Sequence, residues 1–214
     1  MNLRDYLERQ LEVLSYCKRK NQVKNKAFFV VLALIFVSGC AWGDRMIRLS
    51  YSPVSSIQPK NNIVVKVNNF EDKRTITDTV GYSRNAYGMR CAKVIPENSV
   101  SEWVTNALKA ELVNLGYTIS DQETTTNVIN GVVFDVFCDT YFTYDGRVGI
   151  KVILEKNGKI ALERNYSANK TGGVNWAATS TSFAKTLEMA LQDTLRQVVV
   201  DINDQLLKKT NESQ

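Results

Sequence analysis

The stretch RVGIKVILEKNGKIALERNYSAN, residues 147–169, decides the fold of this chain. Apolar and polar residues alternate through Arg147–Lys156 and again through Lys159–Asn169, which is the period of a half-buried β-strand. Asn157-Gly158 separates the two runs, and Asn-Gly is the dipeptide that most favours a two-residue hairpin turn. The stretch therefore predicts an antiparallel hairpin with one face toward a core. That face is predicted to carry Val148, Ile150, Val152, Leu154, Ile160, Leu162 and Tyr166.

Other strands precede this hairpin. Val128–Thr140 alternates imperfectly, and Tyr144-Asp145-Gly146 is the turn predicted to join it to the hairpin as a three-stranded meander. Further upstream, the β-branched run Ile63–Val67 predicts the first strand of the domain, and Thr79–Tyr82 predicts a short one. Ser83–Asn98, with its Gly and Asn residues, is predicted to be a loop.

Two helices complete the predicted domain. Ser99 and Glu102 match a capping box, an apolar face follows, and Gly116 supplies the left-handed C-cap. A second helix is predicted over Ser182–Lys208, where apolar residues recur at helical spacing. The fold class is therefore α+β, with two helices packed on one face of a mainly antiparallel sheet.

The amino-terminal stretch Lys24–Cys40, KNKAFFVVLALIFVSGC, has the anatomy of a secretory signal. Its apolar run, Ala27–Val37, is shorter than the about 20 residues of a membrane span. Val37-Ser38-Gly39-Cys40 resembles the lipobox of bacterial lipoproteins. This resemblance implies that the Cys40 thiol is diacylated, that the signal is cut before Cys40, and that the new amino terminus is acylated. The alternative is an uncleaved signal anchor with an incidental cysteine.

The chain divides accordingly into four segments. Ala41–Asn62, with two prolines and no sustained period, predicts an extended tether. By analogy with enteric lipoproteins, Ala41 in place of an aspartate implies the periplasmic face of the outer membrane. The segments are 1–39, an n-region extension and signal peptide that is removed; 40–62, the lipidated cysteine and flexible tether; 63–209, a single α+β domain; and 210–214, a disordered tail.

The formal charge of +5 belongs mostly to the signal region. Residues 1–39 hold seven of the 27 basic and three of the 22 acidic residues, which leaves 20 and 19 in Cys40–Gln214. The mature chain is therefore nearly neutral, and we expect no nucleic-acid partner.

The four cysteines differ in what they can do. Cys17 precedes the signal, and Cys40 is the lipidation site. Cys91 and Cys138 remain as an even pair in a chain exported to an oxidising space, which makes them a candidate disulfide. The alternative is a loop thiol at Cys91 and a small buried residue at Cys138.

The sequence offers little chemistry for catalysis. It has no histidine, which removes the Ser-His-Asp and Cys-His arrangements and the commonest metal ligand. We therefore expect no catalytic residue, no metal and no cofactor. Asp135 and Asp139 share a strand face and are the one candidate pair of carboxylates, although a solvated strand face explains them as well. Glu71-Asp72-Lys73-Arg74 is a candidate binding loop, or else a turn in which Asp72 caps backbone amides.

Three segments together resemble the YajG-like family of uncharacterised bacterial lipoproteins. They are Val67–Arg74, Leu108–Tyr117 with its Leu115-Gly116-Tyr117 end, and the terminal helix with Asp193-Thr194. The resemblance implies an α+β fold and a lipid-anchored envelope protein. We therefore expect a protein that is not an enzyme, that meets the membrane through acylated Cys40, and that binds an envelope protein. A carboxylate-dependent hydrolase is the alternative, and a single-pass protein held by its uncleaved signal anchor is another.

Overall fold

The structure is a computed structural model, and it describes residues 43–207 except 57, 59, 60, 86 and 175–177. The predictions for the signal region, for the lipidation of Cys40, for Ala41 and for the tail at 210–214 lie outside these residues. The elements in chain order are β1 (Arg45–Ile47), β2 (Val64–Val67), β3 (Glu71–Asp72), β4 (Gly81–Arg84), β5 (Arg90–Pro96), α1 (Val100–Asn114), β6 (Thr118–Ile119), β7 (Asn127–Thr140), β8 (Thr143–Lys156), β9 (Lys159–Val174) and α2 (Ser180–Leu207).

The predicted meander is present as β7, β8 and β9, paired antiparallel in sequence order. Asn157 and Gly158 both have positive φ, 52° and 72°, as the predicted Asn-Gly hairpin turn requires. The turn between β7 and β8 lies at Tyr141 and Phe142, not at Tyr144-Asp145-Gly146 as predicted. Tyr144 is a buried residue of β8 that packs edge-on against Phe183 of α2, and this contact keeps it within the strand.

The hairpin buries the predicted face with one exception. Val148, Ile150, Val152, Leu154 and Tyr166 lie in the core, and Leu162 packs against it. Ile160 is exposed instead, beside a register shift in β8 between Leu154 and Glu155 that interrupts the regular pairing at the hairpin end.

The sheet is mixed, whereas the sequence predicted a mainly antiparallel one. Only β4–β5, β7–β8 and β8–β9 are antiparallel. The pairs β1–β5, β2–β6, β2–β7, β3–β7 and β4–β7 are parallel. The chain passes through α1 between these early strands and β7, and such a crossover brings strands together in the same direction.

Both helices pack on one face of the sheet, as predicted. Helix α2 contacts β7, β8 and β9, and α1 contacts β3, β6, β7 and α2. Ser99 caps α1 by accepting a hydrogen bond from the backbone N–H of Glu102. At the other end Gly116 has φ 87°, and Tyr117 donates its backbone N–H to Leu112 O, which is a Schellman-type ending.

The domain begins at Gly43, about 20 residues earlier than predicted. In place of a flexible tether, Arg45–Ile47 adds a parallel strand to β5, and Ile47 and Leu49 are buried. The segment that follows is held by Glu111 of α1, whose carboxylate accepts hydrogen bonds from the backbone N–H groups of Val54 and Ser55 and from the hydroxyl of Tyr51. Burial disfavours the charged form of Glu111, but these hydrogen bonds outweigh it and hold the pKa of Glu111 below its ordinary value.

The predicted loop Ser83–Asn98 contains a strand. In β5, buried Ala92 and Val94 alternate with exposed Cys91 and Lys93, which is the period-2 pattern of a sheet with one covered face. The short run was readable in the sequence, but Pro96 and the neighbouring Gly and Asn residues favoured a loop.

Gly81 allows β4 to lie between β5 and β7. A Cβ built on this buried residue would lie 2.1 Å from the carbonyl oxygen of Cys138 in the neighbouring strand. Since that oxygen is part of the backbone, we expect Gly81→Ala to separate β4 from β7 and to lower the free energy of unfolding by about 3 kcal/mol. Urea denaturation of the domain 43–214 measures this.

The control is Gly173→Ala in β9, where a Cβ would have no neighbour within 4 Å. This variant should unfold at nearly the same urea concentration as the unsubstituted domain. Equal unfolding midpoints for the two variants would contradict the insertion of β4 between β5 and β7.

Candidate functional surface

The predicted binding loop Glu71–Arg74 uses most of its charge internally. Arg74 is buried, and its guanidinium donates to both carboxylate oxygens of Asp72 and to the carbonyls of Thr77 and Thr79. Asp72 also accepts the backbone N–H of Arg74 at 3.2 Å, as the turn interpretation predicted. Partial burial disfavours the charged form of Asp72, but the hydrogen bonds from Arg74 outweigh it and hold the pKa of Asp72 below its usual value.

The remaining two charges of this loop are exposed and paired with each other. Lys73 Nζ lies 2.6 Å from a carboxylate oxygen of Glu71. Exposed pairs of this kind contribute little to stability and are open to solvent. The loop is therefore a closed turn with one solvated ion pair.

Cys91 and Cys138 are free thiols. Cys138 is fully buried on the helix-covered side of β7. Cys91 is exposed on the solvent side of β5, and the next residue, Ala92, is buried on the other side. The two side chains therefore point to opposite sides of the sheet and cannot form the candidate disulfide without rearrangement of the backbone. Burial, with smaller contributions from the nearby charges of Asp145 and Asp139, raises the pKa of the Cys138 thiol to about 12.

Asp135 and Asp139 lie on the same open face of β7, as the sequence predicted, but each is paired with an arginine. Arg147 Nε lies 2.5 Å from Asp135 Oδ2, and Arg84 holds Asp139 with two hydrogen bonds, of 2.8 and 2.5 Å. The turn also brings Asp145 directly opposite Asp139 across β7 and β8. Carboxylates that are each occupied by a guanidinium group on an open strand face are poorly placed to act together on a substrate.

Between these ion pairs lies a row of stacked side chains that crosses four strands. We call it the aromatic row, and it consists of Arg90, Tyr82, Phe137 and Arg147. The guanidinium carbon of Arg90 lies 4.5 Å from the centre of the Tyr82 ring, and that of Arg147 lies 4.6 Å from the centre of Phe137. The two rings are 5.8 Å apart. Contacts between a guanidinium group and a ring face are attractive, because the guanidinium is positively charged and the ring face is electron-rich.

The aromatic row lines an open groove of about 290 Å³. The groove is shallow, because neither helix covers this face of the sheet. Its lining combines aromatic faces with charged groups, which suits the binding of a polar surface or peptide better than the enclosure of a small molecule. The sequence placed Asp135 and Asp139 on this face, but it missed Tyr82, Arg90, Phe137 and Arg147, because their stacking depends on the order of the strands.

The outer edge of β9 is the second exposed feature. This strand is 16 residues long, and among the described strands it pairs with β8 alone. On the open face, the middle of this strand carries polar residues. They are Glu163, Asn165, Ser167, Asn169 and Thr171. A long unpaired edge offers a row of backbone donors and acceptors to another chain.

Neither described helix is long and apolar enough to cross a membrane. No three side chains of the types that bind metals come together in the ranges given above.

The described residues form a mixed sheet with one helix-covered face, one open face and a long exposed edge at β9. Residues 52–209 match the model of a family described as "Uncharacterized lipoprotein", and the chain belongs to this family. Family membership indicates a location in the bacterial cell envelope. No curated protein sequence matches the chain.

At least one solved structure shares the fold. The chain superimposes on protein XCC0632 of Xanthomonas campestris, a member of the DUF330 family, with a TM-score of 0.60 and 9% identity, over 77% of this chain and 98% of that one. The comparison with the hypothetical protein CT253 of Chlamydia trachomatis has a TM-score of 0.49 and 8% sequence identity, and covers 70% of this chain and 100% of that one. The comparison with lipoprotein GNA1162 of Neisseria meningitidis has a TM-score of 0.38 and 11% sequence identity, and covers 64% of this chain and 99% of that one. Neither the family nor these proteins indicate an enzymatic activity.

The positions of the two thiols lead to a labelling prediction. In the domain 43–214, whose only cysteines are Cys91 and Cys138, an aromatic disulfide reagent should react quickly with Cys91. Cys138 should react at least about a hundredfold more slowly, because the thiolate is the nucleophile and burial suppresses it. Absorbance of the released thiol measures the fast reaction of Cys91 and the slow reaction of Cys138. After unfolding in urea, the two cysteines should react at the same rate. Cys91→Ser is the control and should abolish the fast phase. An unfolded domain with no reactive thiol would show a disulfide and contradict the structure.

Proposed function

We propose that this protein is a lipid-anchored, non-enzymatic component of the bacterial envelope that binds a protein partner along the free edge of β9. The observation that carries the proposal is the unpaired 16-residue edge. An extended segment of a partner would continue the sheet there through main-chain hydrogen bonds, and the side chains on the open face would supply specificity.

The side chains along the β9 edge support a selective interaction with one partner. The open-face side chains in the middle of β9 are polar, and Lys151 of β8 pairs with Glu163 on the same face at 2.5 Å. On the helix side, Arg164 and the Tyr166 hydroxyl both bind Asp201 of α2, which fixes the edge strand against the helix. A rigid edge loses little conformational freedom on binding, while its polar face disfavours indiscriminate pairing.

The open face would extend the same binding surface. From the edge at β9, a partner could continue across β8 toward the aromatic row, where Arg147 is exposed and Phe137 is half-buried. Arginine and aromatic side chains are enriched where proteins bind one another. A carboxylate-dependent hydrolase is less well supported, because the ion pairs of Asp135 and Asp139 leave no free carboxylate in the groove.

The anchor in this proposal is Cys40, in the sequence Val37-Ser38-Gly39-Cys40. Ala41 supports an outer-membrane destination, with the domain on the periplasmic side. We expect Cys40→Ser to abolish incorporation of a clickable palmitate, because the acceptor thiol is removed, and to leave the domain folded, because residue 40 precedes it. In-gel fluorescence and membrane fractionation measure the two effects. Cys17→Ser is the matched control and should change neither. Unchanged acylation of the Cys40→Ser protein would favour the signal anchor.

Photo-cross-linking from the native envelope tests the edge. A photoreactive amino acid at Asn165, Ser167 or Asn169 should give a defined adduct with one partner. The same amino acid at Gln197 or Val200, exposed on the outer side of α2, should give none. Mass spectrometry of the adducts identifies the partner. Adducts that form equally from both sets, or from the helix positions alone, would contradict binding at the β9 edge.

A further inference from the structure

We propose that one end of the sheet enters the interfacial region of the lipid bilayer beside the anchor. The inference rests on the proposed acylation of Cys40 and adds a second, non-covalent contact with the same membrane. The contact is made by a group of exposed apolar side chains at the turns, which we call the tip cluster. It consists of Tyr87, Met89, Tyr141, Phe142 and Val174.

The turns that carry the tip cluster lie side by side. Strands β4 and β7 are parallel neighbours, with Ser83 opposite Thr140, so the turn after each strand emerges at the same end of the sheet. A Cβ built on Gly88 would lie 3.8 Å from the ring of Tyr141. The rings of Tyr141 and Phe142 are 4.1 Å apart.

The third strand that ends here completes the cluster. Val174 is the last residue of β9 and stands opposite Thr143, directly after Phe142. The side chains are strongly exposed, with 84% of Tyr87 and 70% of Phe142 accessible. A contiguous group of large apolar side chains at the tips of otherwise polar turns marks an interaction site.

Hydrogen bonds hold the backbone around Tyr87 and Met89. The side chain of Asn85 accepts the backbone N–H groups of both residues, each at 3.0 Å. Arg84 donates to the carbonyl of Gly88 at 2.8 Å. Both apolar side chains remain exposed while their backbone N–H groups are held in this way.

The path of the chain indicates what this end of the sheet faces. Strand β1 runs parallel to β5, with Arg45 opposite Val94, and the Asp44 carboxylate accepts the backbone N–H of Lys93. The chain therefore enters the domain from the end where β5 begins. Strand β5 begins at Arg90, directly after Met89 of the tip cluster.

The length of the intervening chain limits how far a bilayer that holds Cys40 can be from the tip cluster. Cys40 precedes Gly43 by three residues, which span at most about 11 Å. The β1–β5 register places Gly43 level with Ala92, and Met89 lies three residues, or about 10 Å, further toward the tip. A bilayer that holds the acyl chains of Cys40 is thus within reach of the tip cluster. Tyrosine, phenylalanine and methionine suit this interface, because they combine apolar bulk with polarisable or hydroxyl groups.

The orientation that follows is specific. With the tip cluster at the membrane, strands β7–β9 extend away from the bilayer, and the Asn157-Gly158 turn lies at the opposite end of β8 and β9. The free edge of β9 then runs from the membrane outward, where a partner in the aqueous space can pair with it.

An environment-sensitive fluorophore on the full-length acylated protein tests the contact. The protein is purified from membranes and placed in vesicles of phosphatidylethanolamine and phosphatidylglycerol. In a Cys91→Ser background, NBD is attached to Tyr87→Cys or Phe142→Cys, and to Ile160→Cys as the matched control. Ile160 is equally exposed but lies at the opposite end of the sheet. Cys138 is buried and stays unlabelled.

Spin-labelled lipids should quench the probes at positions 87 and 142 at least about twofold more than the probe at 160, because an interfacial contact lies about 5–10 Å deep. Mass spectrometry of the same samples reports acylation. Acylated protein whose three probes are quenched equally weakly would overturn the tip contact and leave the anchor in place. Unacylated protein would overturn the anchor. Its free Cys17 and Cys40 thiols would then carry the same additional label in all three variants, so the difference in quenching between positions 87 or 142 and position 160 would still decide the tip contact. A blue shift at 87 and 142 that needs no vesicles and grows with protein concentration would show a second copy on the tip cluster and overturn the proposal.

Discussion

The structure depends on the pairing of β7. This strand is hydrogen-bonded along one edge to β8 and along the other, in succession, to the short strands β2, β3 and β4. Ile129, Val133 and Val136 face the helices and are buried. Because side chains alternate with period 2, a slip of one residue in β7 would expose this row and break four pairings at once. The register of the sheet is therefore set by one strand.

An irregularity in that strand shapes the open face. The β7–β8 register shifts between Val133 and Asp135, which leaves Phe134 without a partner residue. A bulge of this kind lets buried positions stay on the helix side before and after it. Beyond the bulge, Asp135, Phe137 and Asp139 share the solvent face. The ion pairs and the aromatic row both follow from this local change, because it aligns them with side chains of β4 and β8.

The division of the sheet into a covered and an uncovered face also explains the proposed roles. The helices cover one face of the sheet and form the core with it. The open face, the β9 edge and the tip cluster are therefore the surfaces available for the proposed binding. These three features lie on different sides of the domain, and a protein tethered at its amino terminus can therefore use them together. Residues 51–55 are hydrogen-bonded to Glu111, and these bonds hold the beginning of the domain against α1.

The sequence by itself determined the features that depend on neighbouring residues. The Asn157-Gly158 hairpin, the capping of α1 at Ser99 and Gly116, both helices and the shared face of Asp135 and Asp139 were all readable, because turn chemistry, capping and periodicity act within a few residues. Tertiary structure decided the rest. It decided the parallel pairing of β2, β3 and β4 with β7, the packing of residues 45–56, the opposite orientation of Cys91 and Cys138 and the approach of Gly88 to Tyr141. Each of these relations involves residues tens of positions apart. No local pattern encodes such partners, since they depend on which strands become neighbours when the apolar face closes over the helices.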